Sequence, residues 1–132
     1  MDLAELIETF EFFDDWEDRY RFIIDLGKEL PNMPDELKTE ANIVHGCQSQ
    51  VWLHADTRVD PPAFILDSDA FIVRGLIGIV ATAIAQKSAN EIAAFDFDAL
   101  FEQLDLLGHL SQTRGNGLRA MVEKIQAVAA AA

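Results

Sequence analysis

Apolar residues recur along the first part of the chain at intervals of three and four. Leu3, Leu6, Ile7, Phe10 and Phe13 share one helical face and predict a first helix. Trp16, Tyr20, Ile23, Ile24 and Leu26 repeat the pattern and predict a second over 16–30, capped by Asp14 or Asp15. Pro31 and Pro34 stop it, and residues 35–41 read as an extended or irregular connection. The period then changes to two. Val51, Leu53 and Ala55 alternate with Trp52, His54 and Asp56, as in a strand with one face on the core. Pro61 and Pro62 turn the chain into a second strand at 63–66, and a third strand is expected at 42–44.

Beyond the strands the apolar density rises. Ile72, Val73, Leu76, Ile77, Ile79, Val80, Ala83 and Ile84 cover most of a helical circumference, so 71–87 is expected to be the central buried helix, capped by Ser68 or Asp69. A short element follows at 97–104. Ser111 or Thr113 opens the region leading to a last helix, whose apolar face holds Leu118, Met121, Val122 and Ile125. Arg114, Gly115, Asn116 and Gly117 read as a polar turn before that helix, and the alanine-rich tail 127–132 is expected to fray. These elements predict an α+β fold: a small antiparallel sheet of about three strands packed against several helices, in a single domain spanning 1–132. The aromatic residues Phe12, Phe13, Trp16 and Trp52 are expected in the core.

Composition narrows the function classes. The 132 residues suit one core, with no repeat or low-complexity linker. Ten Lys and Arg against 23 Asp and Glu give a net charge of −13, which argues against nucleic acid as a partner. The most apolar window, 71–85, contains Arg74 and falls short of the ~20 residues of a membrane span. The acidic start, Met1 to Glu5, lacks the basic and apolar regions of a secretory signal, so a soluble cytoplasmic protein is expected.

Candidate chemistry centres on one residue. Cys47 is the single cysteine, which excludes an internal disulfide and a dithiol redox motif. It lies between two strand-like segments, in Val44-His45-Gly46-Cys47-Gln48-Ser49-Gln50-Val51-Trp52. Gly46 permits positive φ beside the sulfur, and Gln48, Ser49 and Gln50 bring donors that favour a thiolate. His45 can join them if the loop folds it back. Other readings remain open on these residues alone. An inert core cysteine is common. A thiol hydrolase needs a histidine base, for which His45, His54 and His109 are candidates. A zinc site lacks further ligands at useful spacing, and the pairs Asp14/Asp15 and Asp67/Asp69 are explained by helix capping. Arg114 is a candidate contact for an anion or a partner.

Ordered blocks extend the reading. Trp16-Glu17-Asp18-Arg19-Tyr20 is followed by Ile23-Ile24-Asp25-Leu26-Gly27 and Leu30-Pro31, and then by Gly46-Cys47-Gln48-Ser49-Gln50-Val51-Trp52. Asp67-Ser68-Asp69-Ala70 precedes Ile72-Val73-Arg74-Gly75-Leu76-Ile77, and Leu110-Ser111 precedes Arg114, Gly117-Leu118 and Met121. From about residue 13 to 125 the chain resembles the SufE-type sulfur-acceptor family. The resemblance implies an acceptor that takes persulfide sulfur from a cysteine desulfurase onto Cys47, stimulates that desulfurase and delivers sulfur for iron–sulfur cluster assembly. It implies loop-shaping roles for Gly46, Gln48 and Ser49, with His45 and Arg114 as possible sulfur or partner contacts. Pyridoxal phosphate would belong to the desulfurase, and no cofactor or metal is expected on this chain. The expected partners are the desulfurase and a downstream iron–sulfur scaffold complex, with the chain a monomer or weak homodimer. Its activity would be that of a sulfurtransferase-type accessory protein without stand-alone turnover. A module that activates the desulfurase by binding alone, with Cys47 incidental, is the alternative.

Overall fold

A computed structural model describes residues 1–46 and 49–132. Helix α1 (Leu3–Phe12) begins at Asp2, whose carboxylate accepts from the Glu5 amide at 2.9 Å. Helix α2 (Trp16–Glu29) begins at Asp15, which accepts from the Asp18 amide at 2.9 Å, so Asp15 is the cap. Such a cap satisfies one of the amides that a helix start leaves orphaned, which typically contributes about 1 kcal/mol. Arg19 fixes the corner between the two helices: its Nε donates to the carbonyls of Phe10 and Phe13, at 3.1 and 3.0 Å. Of the aromatic group expected in the core, Phe13 and Trp16 are half-buried, while Phe12 is 79% exposed. Trp52 is half-buried.

Residues 35–41 are not extended. They wind into two short 3-10 turns, Asp35–Leu37 and Glu40–Asn42. The second takes Asn42, the first residue of the expected third strand. What remains is a single bridge, Ile43 to Trp52, with the Val44 amide on the Val51 carbonyl at 2.8 Å. The sheet therefore has two strands, β1 (Val51–Asp56) and β2 (Ala63–Ser68), antiparallel with Val51 opposite Ser68 and Asp56 opposite Ala63. β2 runs two residues beyond the sequence expectation because Asp67 and Ser68 are buried at its end.

Four helices follow: α3 (Phe71–Ile84), α4 (Ala89–Ala94), α5 (Phe97–Gln103) and α6 (Gln112–Ala131). α3 is the central helix, with Leu76, Ile77, Ile79, Val80 and Ala83 almost wholly buried. α2 crosses it at glycine contacts. A Cβ at Gly75 would lie 2.0 Å from the Ile23 carbonyl oxygen, so only hydrogen lets the two backbones meet. α4 is too short to show a period, although its capping box, Ser88 with Glu91, is present in the sequence. Gln126 of α6 donates to the Ile92 and Phe95 carbonyls at 3.2 and 2.8 Å, tying α6 to the end of α4.

Two expectations about helix starts are corrected. Neither Ser68 nor Asp69 caps α3; Ala70 stands there and makes no side-chain cap. Asp67 instead lies buried against Arg74, whose remaining donors go to the carbonyls of Gly27, at 3.0 Å, and Leu30. Asp67 also accepts from the Met33 amide at 2.9 Å and the Ser68 amide at 2.8 Å. A buried ion pair is tolerated only when its other polar atoms are satisfied in this way. At α6, Ser111 is the cap, accepting from the Arg114 amide at 3.2 Å. Residues 114–117 are thus the opening of the helix and not a turn before it. Two glycines there lower helix propensity by about 1 kcal/mol each, but packing of buried Gly117 and Leu118 overrides it. The tail is helical through Ala131, and Ala129 is buried.

Candidate functional site

The loop that carries the thiol is clamped at its base. The Val44 amide meets the Val51 carbonyl, and Val44 and Val51 are both buried. On the opposite side of β1, the Gln50 amide donates to the Asp69 carboxylate at 3.1 Å while the Asp69 amide donates to the Gln50 carbonyl at 3.3 Å. Asp69 thus anchors the loop exit to the approach of α3, a role in place of the capping expected for it. Cys47 and Gln48 lie outside the described residues. Their neighbours on either side are placed.

Gly46 has φ +94°, the conformation its sequence position suggested, and a Cβ there would lie 3.7 Å from the Ala120 Cβ on α6. Ser49 lines a cavity of about 310 Å³ together with Val51, Val73, Leu76, Thr113, Arg114, Gly117, Leu118 and Met121. Gly46 thus approaches Ala120 of α6, and Ser49 lines a cavity that the first half of α6 also lines. The cavity has an apolar floor from β1, α3 and α6, and a polar rim of Ser49, Thr113 and Arg114.

The electrostatics are uneven. Arg114 is exposed and, among the described residues, makes no ion pair. It projects from the first turn of α6, where the helix dipole already adds partial positive charge. A cation and a helix start beside an apolar pocket favour an anion such as a thiolate or a hydropersulfide anion. Hydrogen bonds from Arg58 hold the Asp56 carboxyl below its ordinary value, and bonds from Ser88 do the same for Glu91.

Of the residues singled out in the sequence, Ser49 and Arg114 share the cavity, and Gly46 approaches Ala120 of α6. His45 is exposed and lines none of it. His54 sits on β1 opposite Ile65, and His109 stacks on Trp16 at 3.8 Å with its Nδ1 3.0 Å from the Asp105 carbonyl oxygen. No histidine lines the cavity. Among the described residues, no group of three or more His, Cys, Asp or Glu is arranged to hold a metal ion. No described helix is long and apolar enough to cross a membrane. Sequence reasoning missed Thr113, Val73 and Leu76 as cavity residues and Asp69 as the loop anchor. The apolar ones carry no distinguishing signal, because a cavity wall and a core face look alike in a periodic pattern.

Comparison with known proteins identifies the family. Residues 4–129 match the model of the SufE family, described as an Fe-S metabolism associated domain. An uncharacterized SufE-like protein of Rhizobium etli is 49% identical over 128 residues, covering 94% of this chain and 86% of that protein. One from Rhizobium meliloti is 47% identical over 131 residues, covering 96% and 94%. The sulfur acceptor protein CsdE of Escherichia coli is 43% identical over 121 residues, covering 91% and 82%. The solution structure of a hypothetical protein from Thermus thermophilus shares the fold, with a TM-score of 0.78 at 20% identity, over 98% of this chain and 93% of that one. With the match spanning nearly its whole length, the chain belongs to the SufE family.

Proposed function

We propose that this protein is a sulfur acceptor for a cysteine desulfurase, with Cys47 as the accepting thiol. The observation that carries the reading is the convergence of Gly46 and Ser49, which flank the Cys47–Gln48 pair, on α6 beside an apolar-floored cavity with Arg114 at its rim. The Cys47 thiolate attacks the outer sulfur of the desulfurase's cysteine persulfide. A new sulfur–sulfur bond forms on Cys47, the donor's bond breaks, and its electron pair leaves with the donor cysteine as a thiolate. No net oxidant is needed. Regenerating the donor thiolate frees the desulfurase for another cycle, which is how the acceptor stimulates it.

Arg114 and the start of α6 stabilise the anion before and after transfer. The apolar floor limits the access of water and oxidants to a group that otherwise climbs the oxidation ladder. The pyridoxal phosphate belongs to the desulfurase, and this chain contributes the acceptor thiol alone. The persulfide then passes to an iron–sulfur scaffold complex in the cytoplasm.

Intact mass spectrometry tests the reading directly. After incubation with a cognate desulfurase and cysteine, the protein gains one sulfur atom, and Cys47→Ser loses both that gain and the stimulation of desulfurase turnover. Stimulation that survives Cys47→Ser would instead identify a module acting through binding alone.

A further inference from the structure

Threonine in a helix commonly turns its hydroxyl back to a carbonyl one turn earlier. Two of the three helical threonines here do so. Thr9 donates to the Glu5 carbonyl and Thr82 to the Gly78 carbonyl, each at 2.8 Å. Thr113, in the first turn of α6, does not. The carbonyl four residues before it belongs to His109, in a 3-10 turn (Leu107–His109) ahead of the helix, and it accepts from the Tyr20 hydroxyl. Among the described residues the Thr113 hydroxyl has no hydrogen-bond partner, so its proton is unspent.

Thr113 lines the same cavity as Ser49 and Arg114. Cys47 stands two positions before Ser49, so chain geometry alone keeps its Cα within about 8 Å of the Ser49 Cα. Thr113 and Ala120 are seven residues apart and share one face of α6, and Gly46, next to Cys47, approaches Ala120. The floor of Val51, Val73, Leu76, Leu118 and Met121 offers an anion no side-chain donor, so an anion in the cavity depends on the rim. The rim donors differ in kind. Arg114 is long and exposed, and supplies charge from a freely turning side chain. Thr113 turns about one β-branched torsion, which holds its hydroxyl to a small arc. A bond from such a donor to an anion is charge-assisted and stronger than one between neutral groups.

We propose that the Thr113 hydroxyl is a catalytic donor in sulfur uptake: it hydrogen-bonds the Cys47 thiolate during attack and the outer sulfur anion after transfer. This rests on the reading of Cys47 as the accepting thiol. The hydroxyl keeps its proton throughout, and the bonds made and broken are those of the sulfur exchange itself. Arg114 supplies charge, and Thr113 supplies direction.

Thr113→Val, which keeps the branch and removes the hydroxyl, and Thr113→Ser, which keeps the hydroxyl, test it on the full chain. Cys47 is the single cysteine, so the pH dependence of alkylation by iodoacetamide reads its ionisation alone. A hydrogen bond to the thiolate lowers a thiol's pKa, so Thr113→Val should move that profile about one unit to higher pH. Desulfurase turnover at saturating acceptor should fall about tenfold, while the acceptor concentration giving half the stimulation stays within about twofold. Thr113→Ser should restore both. The proposal is overturned if Thr113→Val matches the wild type in profile and rate, or if Thr113→Ser is impaired as much as Thr113→Val. A change in the half-stimulating concentration alone would make Thr113 a docking contact and overturn it too. A wild-type protein that gains no sulfur would overturn the acceptor reading and this proposal with it, an outcome distinct from a missing Thr113 effect in a protein that does.

Discussion

Arg74 and Arg114 occupy similar places, in the first turns of α3 and α6, and have opposite surroundings. A cation at a helix start opposes the macrodipole, so neither position is locally favoured. At Arg74 the opposition is offset by burial against Asp67 and by two backbone carbonyls. Arg114 has no such compensation: it is exposed at the rim of a cavity and has no carboxylate in ion-pair reach among the described residues. The first charge is committed to the fold, holding α2, α3 and the Met33 segment together. The second remains available for a ligand. The contrast separates structural from functional charge by its partners, where position along a helix does not.

Substitutions sharpen that contrast. The largest effect is expected at Arg74→Ala, which leaves Asp67 buried without its counter-ion and should cost about 3–5 kcal/mol in urea denaturation. Gly75→Ala forces a methyl group into the Ile23 backbone and should cost about 1–3 kcal/mol or more, read as a lowered melting temperature. Arg114→Ala should leave stability within about 0.5 kcal/mol, since it touches no packing, while the rate of sulfur uptake falls about tenfold, a difference of about 1.4 kcal/mol. An Arg114→Ala protein that unfolds as readily as Arg74→Ala would erase the distinction. The smallest effect belongs to Gly46→Ala. Its Cβ meets Ala120 at an ordinary distance, so only the positive φ is strained, at about 1 kcal/mol in thermal unfolding.

Much of this was legible along the chain. The helices α1, α2, α3 and α6 follow from apolar spacing, and the caps Asp15 and Ser111 were among the candidates named for their helices. The misreadings share a cause. Gly115 and Gly117 suggested a turn because local propensity disfavours a helix there, and tertiary packing of Gly117 and Leu118 reversed it. Asp67 and Ser68 looked like cap residues, but a solitary arginine in the most apolar window was the stronger signal: Arg74 needed a buried carboxylate, and Asp67 was near enough to supply it. The missing third strand reflects two 3-10 turns whose polar residues carry no period.

The sequence by itself determined the α+β class, the central helix, the solitary thiol at Cys47 and its flanking glycine, because each depends on residue type or on spacing within one segment. Only the tertiary structure decided that Ser49, Thr113 and Arg114 rim one cavity, that Asp69 anchors the loop, and that the sheet stops at two strands. Those facts arise where segments distant along the chain meet, and the packing of one helix against another, which sets such meetings, leaves no periodic trace in either segment alone.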